Sequence, residues 1–177
     1  PIYCDNRISL SHHATRTYIR EQLANAVTEH FGKPDVIAGV ATGAIAHGIL
    51  VAQELGLPFV YVRPEPKKHG RKNQIEGYIE SGQKVVVIED LISTGGSSLK
   101  AVKALEDIGC TVSGMAAIFT YGFDLADKNF KEANCELVTL SDYASLVDQA
   151  TDTGYISDKE IKALKKWHEA PDNWKGV

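Results

Sequence analysis

Hydrophobic residues along the chain follow two alternating patterns, one with the period of a helix and one of short continuous runs. Apolar residues recur every four positions from Ile19 to Phe31, which predicts a helix within residues 9–31. Short apolar runs predict strands at residues 35–40, 58–62, 83–90, 110–121 and 135–140. The stretches between and after them predict a turn with a helix at 41–56 and helices at 97–109, 123–134 and 157–169. This alternation indicates an α/β fold with a mostly parallel central sheet flanked by helices.

Two segments stand out from this alternation. Residues 63–77 show no apolar period, which predicts a loop long enough to be a functional lid or a disordered segment. Residues 83–90 begin with a continuous apolar run, which is expected of a strand covered on both faces in the middle of the sheet. The pair Ser141–Asp142 predicts a cap for a following helix.

Two acids and a glycine-rich turn follow the central strand. Glu89 and Asp90 end it, and Ser-Thr-Gly-Gly-Ser at 93–97 opens the next helix. Ligands of such sheets bind beyond the carboxyl ends of the strands, where unpaired N–H groups at a helix start attract phosphate. Carboxylates repel phosphate but suit sugar hydroxyls or Mg²⁺. The pattern therefore favours a phosphorylated sugar, and the plain alternative is a capped helix with two solvated loop acids.

Composition narrows the possible partners. The 177 residues carry a formal net charge of −4, which gives no general attraction to nucleic acid or to anionic lipid. The apolar runs are far shorter than the ~20 residues that cross a bilayer, so we expect a cytoplasmic protein that binds no membrane. Three widely separated cysteines favour reduced thiols. The length fits one domain over residues 1–177.

The run V-V-V-I-E-D-L-I-S-T-G-G-S at 85–97 resembles the phosphoribosyl pyrophosphate (PRPP) motif of the type I phosphoribosyltransferases. The resemblance implies the Rossmann-like fold of that family, with a flexible catalytic loop. It also implies that Glu89 and Asp90 accept hydrogen bonds from the ribose hydroxyls or reach Mg²⁺ through water, while residues 94–97 cradle the 5′-phosphate. The complete PRPP set that it implies is Arg63, Lys67, His69, Glu89, Asp90, Leu91, Ile92, Ser93, Thr94, Gly95, Gly96 and Ser97.

Three further stretches resemble one branch of this family, the orotate phosphoribosyltransferases. R-P-E-P-K-K-H-G at 63–70 is similar to their catalytic loop, R-x-x-x-K-x-H-G. P-I-Y-C-D-N-R at 1–7 is similar to their orotate-side segment, and S-D-Y at 141–143 to the start of the bacterial tail. The resemblance implies transfer of the phosphoribosyl group from PRPP to N1 of orotate, which gives orotidine 5′-monophosphate and pyrophosphate on the route to UMP.

The same resemblance assigns roles to individual residues. The catalytic residues that it implies are Lys67, His69, Arg63 and Asp90. The first three would stabilise the departing pyrophosphate together with Mg²⁺. Ser93, Tyr3 and Arg7 would contact orotate, with Arg7 forming a bidentate pair with its carboxylate; a salt bridge within the segment is the alternative for Arg7. A homodimer is implied, because the family's loop closes over the neighbouring subunit's site.

The sequence departs from the family pattern in three places. Pro64 stands where some members carry a lysine, for which Lys68, Arg71 or Lys72 would compensate. The turn at 41–48 lacks the lysines found there in some members, so its backbone amides would act alone. The helix and strand that usually precede residue 1 are expected to be missing. Two alternatives stay open: a phosphoribosyltransferase for another base, and a PRPP-sensing regulator that binds nucleic acid.

Overall fold

A computed structural model of the chain describes residues 4–65 and 74–171, and the predicted order of strands and helices is confirmed. The strands are β1 Val36–Val40, β2 Phe59–Val62, β3 Ile75–Glu76, β4 Lys84–Ile92, β5 Thr111–Thr120 and β6 Leu137–Asp142. The helices are α1 His13–Phe31, α2 Ile45–Leu55, α3 Gly96–Asp107, α4 Asp124–Glu132, α5 Tyr143–Asp152 and α6 Asp158–Glu169, preceded by a short 3-10 helix at Asn6–Ser11.

The strands form one sheet in the order β3-β2-β1-β4-β5-β6. Every neighbouring pair is parallel except β2 and β3, which are antiparallel. Helices α1 and α2 pack on one face, and α3 and α4 pack on the other. Because both faces are covered, the middle strand β4 is fully buried from Val85 to Ile88. The expected α/β architecture is thus confirmed.

Strand β3 lies inside the segment that the sequence predicts to be a loop. It pairs Tyr61 with Glu76 and Val62 with Ile75, and a strand of two residues is too short to show a period. Just before it, the backbone N–H of Arg63 donates to the carbonyl of Gln74 at 2.8 Å, and the Gln74 amide donates back to the carbonyl of Arg63 at 2.8 Å. These two bonds join the two residues that flank residues 64–73.

Strand β4 also runs two residues further than the sequence predicts. Leu91 pairs with Phe119 and Ile92 with Thr120 on β5, so the two acids lie within the strand. On the edge strand of the sheet, Asp142 closes β6 and caps α5 by accepting a hydrogen bond from the N–H of Ser145 at 2.8 Å. The predicted cap is confirmed.

A second, smaller core covers the carboxyl ends of β5 and β6. It contains Phe119, Tyr121, Tyr143, Val147 and Trp167, all buried. Trp167 comes from α6, whose start is fixed by a capping box. We call this group the aromatic cluster.

Across residues 4–65 and 74–171, no helix combines the length and apolarity needed to cross a bilayer.

Close packing of α2 on β1 depends on glycine. A Cβ at Gly48 would lie 2.7 Å from Cε2 of Phe59, closer than carbon atoms approach without a shift. We expect Gly48→Ala to lower the free energy of unfolding by about 1–3 kcal/mol, because overpacking outweighs the roughly 1 kcal/mol gain in helix propensity. Urea denaturation measures this change.

The matched control for that substitution is Gly96→Ala. Its new methyl group would meet only Oγ1 of Thr94, at 3.9 Å, so the free energy of unfolding should not fall. Equal stability of the two variants would contradict the packing argument.

Candidate active site

The two acids of β4 have different surroundings, since successive side chains alternate along a strand. Glu89 is 5% exposed and faces α3, where Ser98 Oγ donates to its Oε2 at 2.8 Å. The N–H of Asp90 donates to the other oxygen of Glu89 at 3.0 Å. Asp90 is half-buried and lies against Gly43 in the turn after β1, where a Cβ would overlap its carboxylate. The two carboxyls therefore differ in burial, and Glu89 is the more deeply buried of the pair.

Burial sets the charge of this acid pair. Desolvation, together with a hydrogen bond to the Asp90 carboxylate, raises the pKa of Glu89 from 4.5 to about 8, although the bond from Ser98 opposes the change. Glu89 therefore holds its proton at neutral pH.

The turn that follows β4 is built to present backbone N–H groups. Gly95 adopts the left-handed conformation (φ 77°), and a Cβ there would lie 2.6 Å from Phe130 on α4. The side chain of Asn129 donates to the carbonyl of Thr94 at 2.8 Å and braces the turn. Within the described parts of the chain, the backbone N–H groups of residues 94–97 donate to no protein atom. They are available to an anion.

Leu91 and Ile92 have mainly structural side chains. Ile92 is fully buried, and its carbonyl accepts the N–H of Tyr121 at 3.0 Å. Leu91 packs partly buried against the aromatic cluster. Their side chains are therefore not expected to contact a ligand directly. The contacts would come from the backbone of the turn that follows them.

Arg63 lies at the end of β2, with Nη1 3.4 Å from Oε1 of Glu76. It lines a cavity of about 160 Å³ with Ala41 of the turn after β1 and Ser97 of α3. The structure thus brings the predicted residues Arg63 and Ser97 to one space. Lys67, His69 and Tyr3, which the sequence also predicts for the site, lie outside the described residues.

The segment before α1 reaches the carboxyl edge of the sheet. The Asn6 amide donates to the carbonyl of Asp90 at 2.6 Å, and the N–H of Cys4 donates to the hydroxyl of Tyr121 at 3.0 Å. Arg7 makes a two-point pair with Asp5, at 2.8 Å from Nε and 3.2 Å from Nη2. The salt bridge considered as the alternative for Arg7 is therefore present in this structure.

Sequence reasoning missed three residues near Asp90. Asn6 and Tyr121 bind this edge of the sheet, and His47 is a buried histidine of α2 whose pKa is lowered by burial, against the opposing effects of Asp90 and of the Asn6 backbone. Tyr121 directly follows β5. Its place at the carboxyl end of a strand is the signal that could have identified it.

No group of three or more histidines, cysteines, aspartates or glutamates is arranged to hold a metal ion among the residues that the structure describes. Asp90 is a half-buried carboxylate at this edge, whereas the oxygens of Glu89 are already hydrogen-bonded. This donor set fits an ion held mostly by substrate and water, with a contribution from Asp90.

Comparison with known proteins gives a consistent result. A family model described as phosphoribosyl transferase domain matches residues 10–152. The orotate phosphoribosyltransferase of Porphyromonas gingivalis is 54% identical over 174 residues, which cover 98% of this chain and 83% of that protein. That of Listeria innocua is 52% identical with the same coverage. The crystal structure of orotate phosphoribosyltransferase from Aeropyrum pernix aligns with a TM-score of 0.76 at 27% identity, covering 88% of this chain and 85% of that one.

The buried proton of Glu89 predicts how stability depends on pH. The folded state keeps a proton that the unfolded state releases between its pKa of 4.5 and the folded pKa of about 8. The free energy of unfolding should therefore fall as the pH rises through this range, by up to about 1.4 kcal/mol per pH unit. Glu89→Gln should remove this slope, as measured by urea midpoints at several pH values in magnesium-free buffer.

The control for Glu89→Gln is Glu29→Gln, the same change at an exposed position of α1, which should retain the slope. Parallel stability curves for the wild type and Glu89→Gln would contradict a buried protonated carboxyl.

Proposed function

The chain belongs to the orotate phosphoribosyltransferase family, and from this premise we propose that it transfers the 5-phosphoribosyl group of PRPP to N1 of orotate. The products are orotidine 5′-monophosphate and pyrophosphate, and the reaction serves pyrimidine biosynthesis on the way to UMP. The observation that carries the proposal is a half-buried acid, Asp90, beside a turn whose N–H groups at residues 94–97 have no partner among residues 4–65 and 74–171. A phosphorylated sugar needs both.

In this proposal, each end of the ribose is held by a different kind of group. Asp90 accepts hydrogen bonds from the ribose hydroxyls, and the N–H groups of residues 94–97 hold the 5′-phosphate. Neutral Glu89 lies behind Asp90 and adds no second negative charge near the phosphate groups of the substrate. The division of the two acids is therefore useful for binding an anion.

Catalysis in this proposal depends on stabilising the leaving group. As the bond to pyrophosphate breaks, the ribose develops oxocarbenium character and negative charge accumulates on the departing oxygens. Arg63 and Lys67 would neutralise that charge, and His69 would donate a hydrogen bond or a proton to it. Arg63 is suitably placed, since it shares a cavity with the turn after β1 and the start of α3.

Magnesium is the cofactor that we propose. When bound, it would neutralise negative charge on the departing pyrophosphate. The donor set favours attachment through substrate and water. Asp90 would supply a carboxylate oxygen, and Glu89 would act behind it through the Asp90 backbone.

Orotate would lie against Tyr3, Arg7 and Ser93. Arg7 already pairs with Asp5, so the orotate carboxylate would have to replace this partner or share the guanidinium with it. The Arg7–Asp5 pair is exposed, and exposed ion pairs are weak, so orotate could replace Asp5 readily.

We further propose a cytoplasmic homodimer in which the stretch between Arg63 and Gln74 of one subunit closes over the site of the other. Such a lid would exclude water and limit hydrolysis of PRPP.

A panel of bases tests the proposed reaction. Pyrophosphate release from PRPP should be fastest with orotate and slow with uracil, adenine or hypoxanthine, because only orotate offers a carboxylate to Arg7. A purine that outperforms orotate would overturn the choice of base. Salt-dependent nucleic-acid binding without turnover would favour a regulator.

Complementation of two inactive variants tests the shared site. Lys67→Ala and Asp90→Asn homodimers should each lose most activity. Mixed dimers should recover up to about half of the wild-type rate per dimer, because one of their two sites then has an intact Lys67 and an intact Asp90. Verified heterodimers with no recovery would contradict a loop that acts across the interface.

A further inference from the structure

Residues 4–11, which we call the leading segment, are held at the carboxyl side of the sheet by two hydrogen bonds. One bond goes to β4 and the other to Tyr121, which follows β5. The Asn6 amide binds the carbonyl of Asp90 within β4. The N–H of Cys4 binds the hydroxyl of Tyr121, 117 positions away in sequence, at 3.0 Å. Inside the segment, Ser9 Oγ donates to the carbonyl of Asn6 at 2.5 Å and keeps it compact.

Tyr121 can place that hydroxyl accurately because its own ring is held from several sides. The ring meets Phe119 edge-on at 5.3 Å, stacks on Phe123 at 5.5 Å and meets the edge of Trp167 at 5.4 Å. These contacts leave the residue only 5% exposed. A buried aromatic ring in such packing has few alternative rotamers.

The backbone of Tyr121 is fixed as well. Its N–H donates to the carbonyl of Ile92 on β4 at 3.0 Å. Nε2 of His168 on α6 lies 2.6 Å from its carbonyl oxygen. The residue therefore links β4, β5 and α6, and its hydroxyl extends this rigid unit to the leading segment.

We propose that Tyr121 is a positioning residue, whose hydroxyl docks the leading segment at Cys4 and thereby orders the base-binding side of the site. The inference rests on the proposed function, in which Tyr3 and Arg7 on either side of Cys4 contact orotate. Asn6 attaches the same segment to Asp90, the proposed ribose acceptor. The docked segment thus joins the base side to the sugar side.

The test removes the hydroxyl and retains the ring. Tyr121→Phe should raise the KM for orotate about five- to tenfold, as expected for one lost hydrogen bond. The KM for PRPP and the melting temperature should stay nearly unchanged. Hydrogen exchange of peptides covering residues 4–11 should become faster, with no change in the strands.

The matched control is Tyr143→Phe in the same aromatic cluster. Its hydroxyl donates to the carbonyl of Leu164 at 3.1 Å, and within the described parts of the chain it makes no bond to the leading segment. This variant should keep the wild-type KM for orotate and the wild-type exchange of residues 4–11. If Tyr121→Phe folds poorly, Asn6→Ala releases the same segment at its other attachment and should speed its exchange likewise.

An unchanged KM for orotate in Tyr121→Phe would overturn the proposal, and so would an equal rise in Tyr143→Phe. If the wild type failed to use orotate, the proposed function would fail instead. The exchange comparison would still decide whether Tyr121 docks the segment, since faster exchange in Tyr121→Phe alone supports docking and equal exchange in both variants rejects it.

Discussion

The continued pairing of β4 with β5 beyond the two acids is the constraint on which the site depends. Because Leu91 and Ile92 are still held in the sheet, the alternation of a strand applies to Glu89 and Asp90. One carboxyl is directed into the layer of α3 and the other towards the turn after β1. Had the strand ended at residue 88, two adjacent loop acids would face solvent together. Sheet pairing therefore decides which of the two acids is buried.

The free N–H groups of the next turn complement that arrangement. A phosphate near two ionised carboxylates would meet strong repulsion, whereas burial keeps Glu89 neutral. The bond from Ser98 then fixes its orientation. The same α3 helix supplies Ser98 to the buried acid and would offer its amino end to the phosphate in the proposed function.

Much of this molecule is readable from its sequence. Strands such as 83–90 are predicted well because a buried parallel strand is a continuous apolar run, and the acid and glycine-rich positions follow from where such strands end. The inward turn of Glu89 is not readable, because pattern alone does not show how far pairing with β5 continues. Strand β3 escapes notice because it owes its place to pairing with β2 and to a single buried residue, Ile75. The bond between Cys4 and Tyr121 joins positions 117 apart, which no local pattern relates.

The reciprocal hydrogen bonds between Arg63 and Gln74 make the intervening stretch modular. Since the entropy of closing a loop grows only slowly with its length, by about 0.6 kcal/mol for each doubling, insertions or deletions between these anchors would leave the sheet almost as stable as before. Natural variation and protein engineering are thus free to remodel that stretch independently of the scaffold.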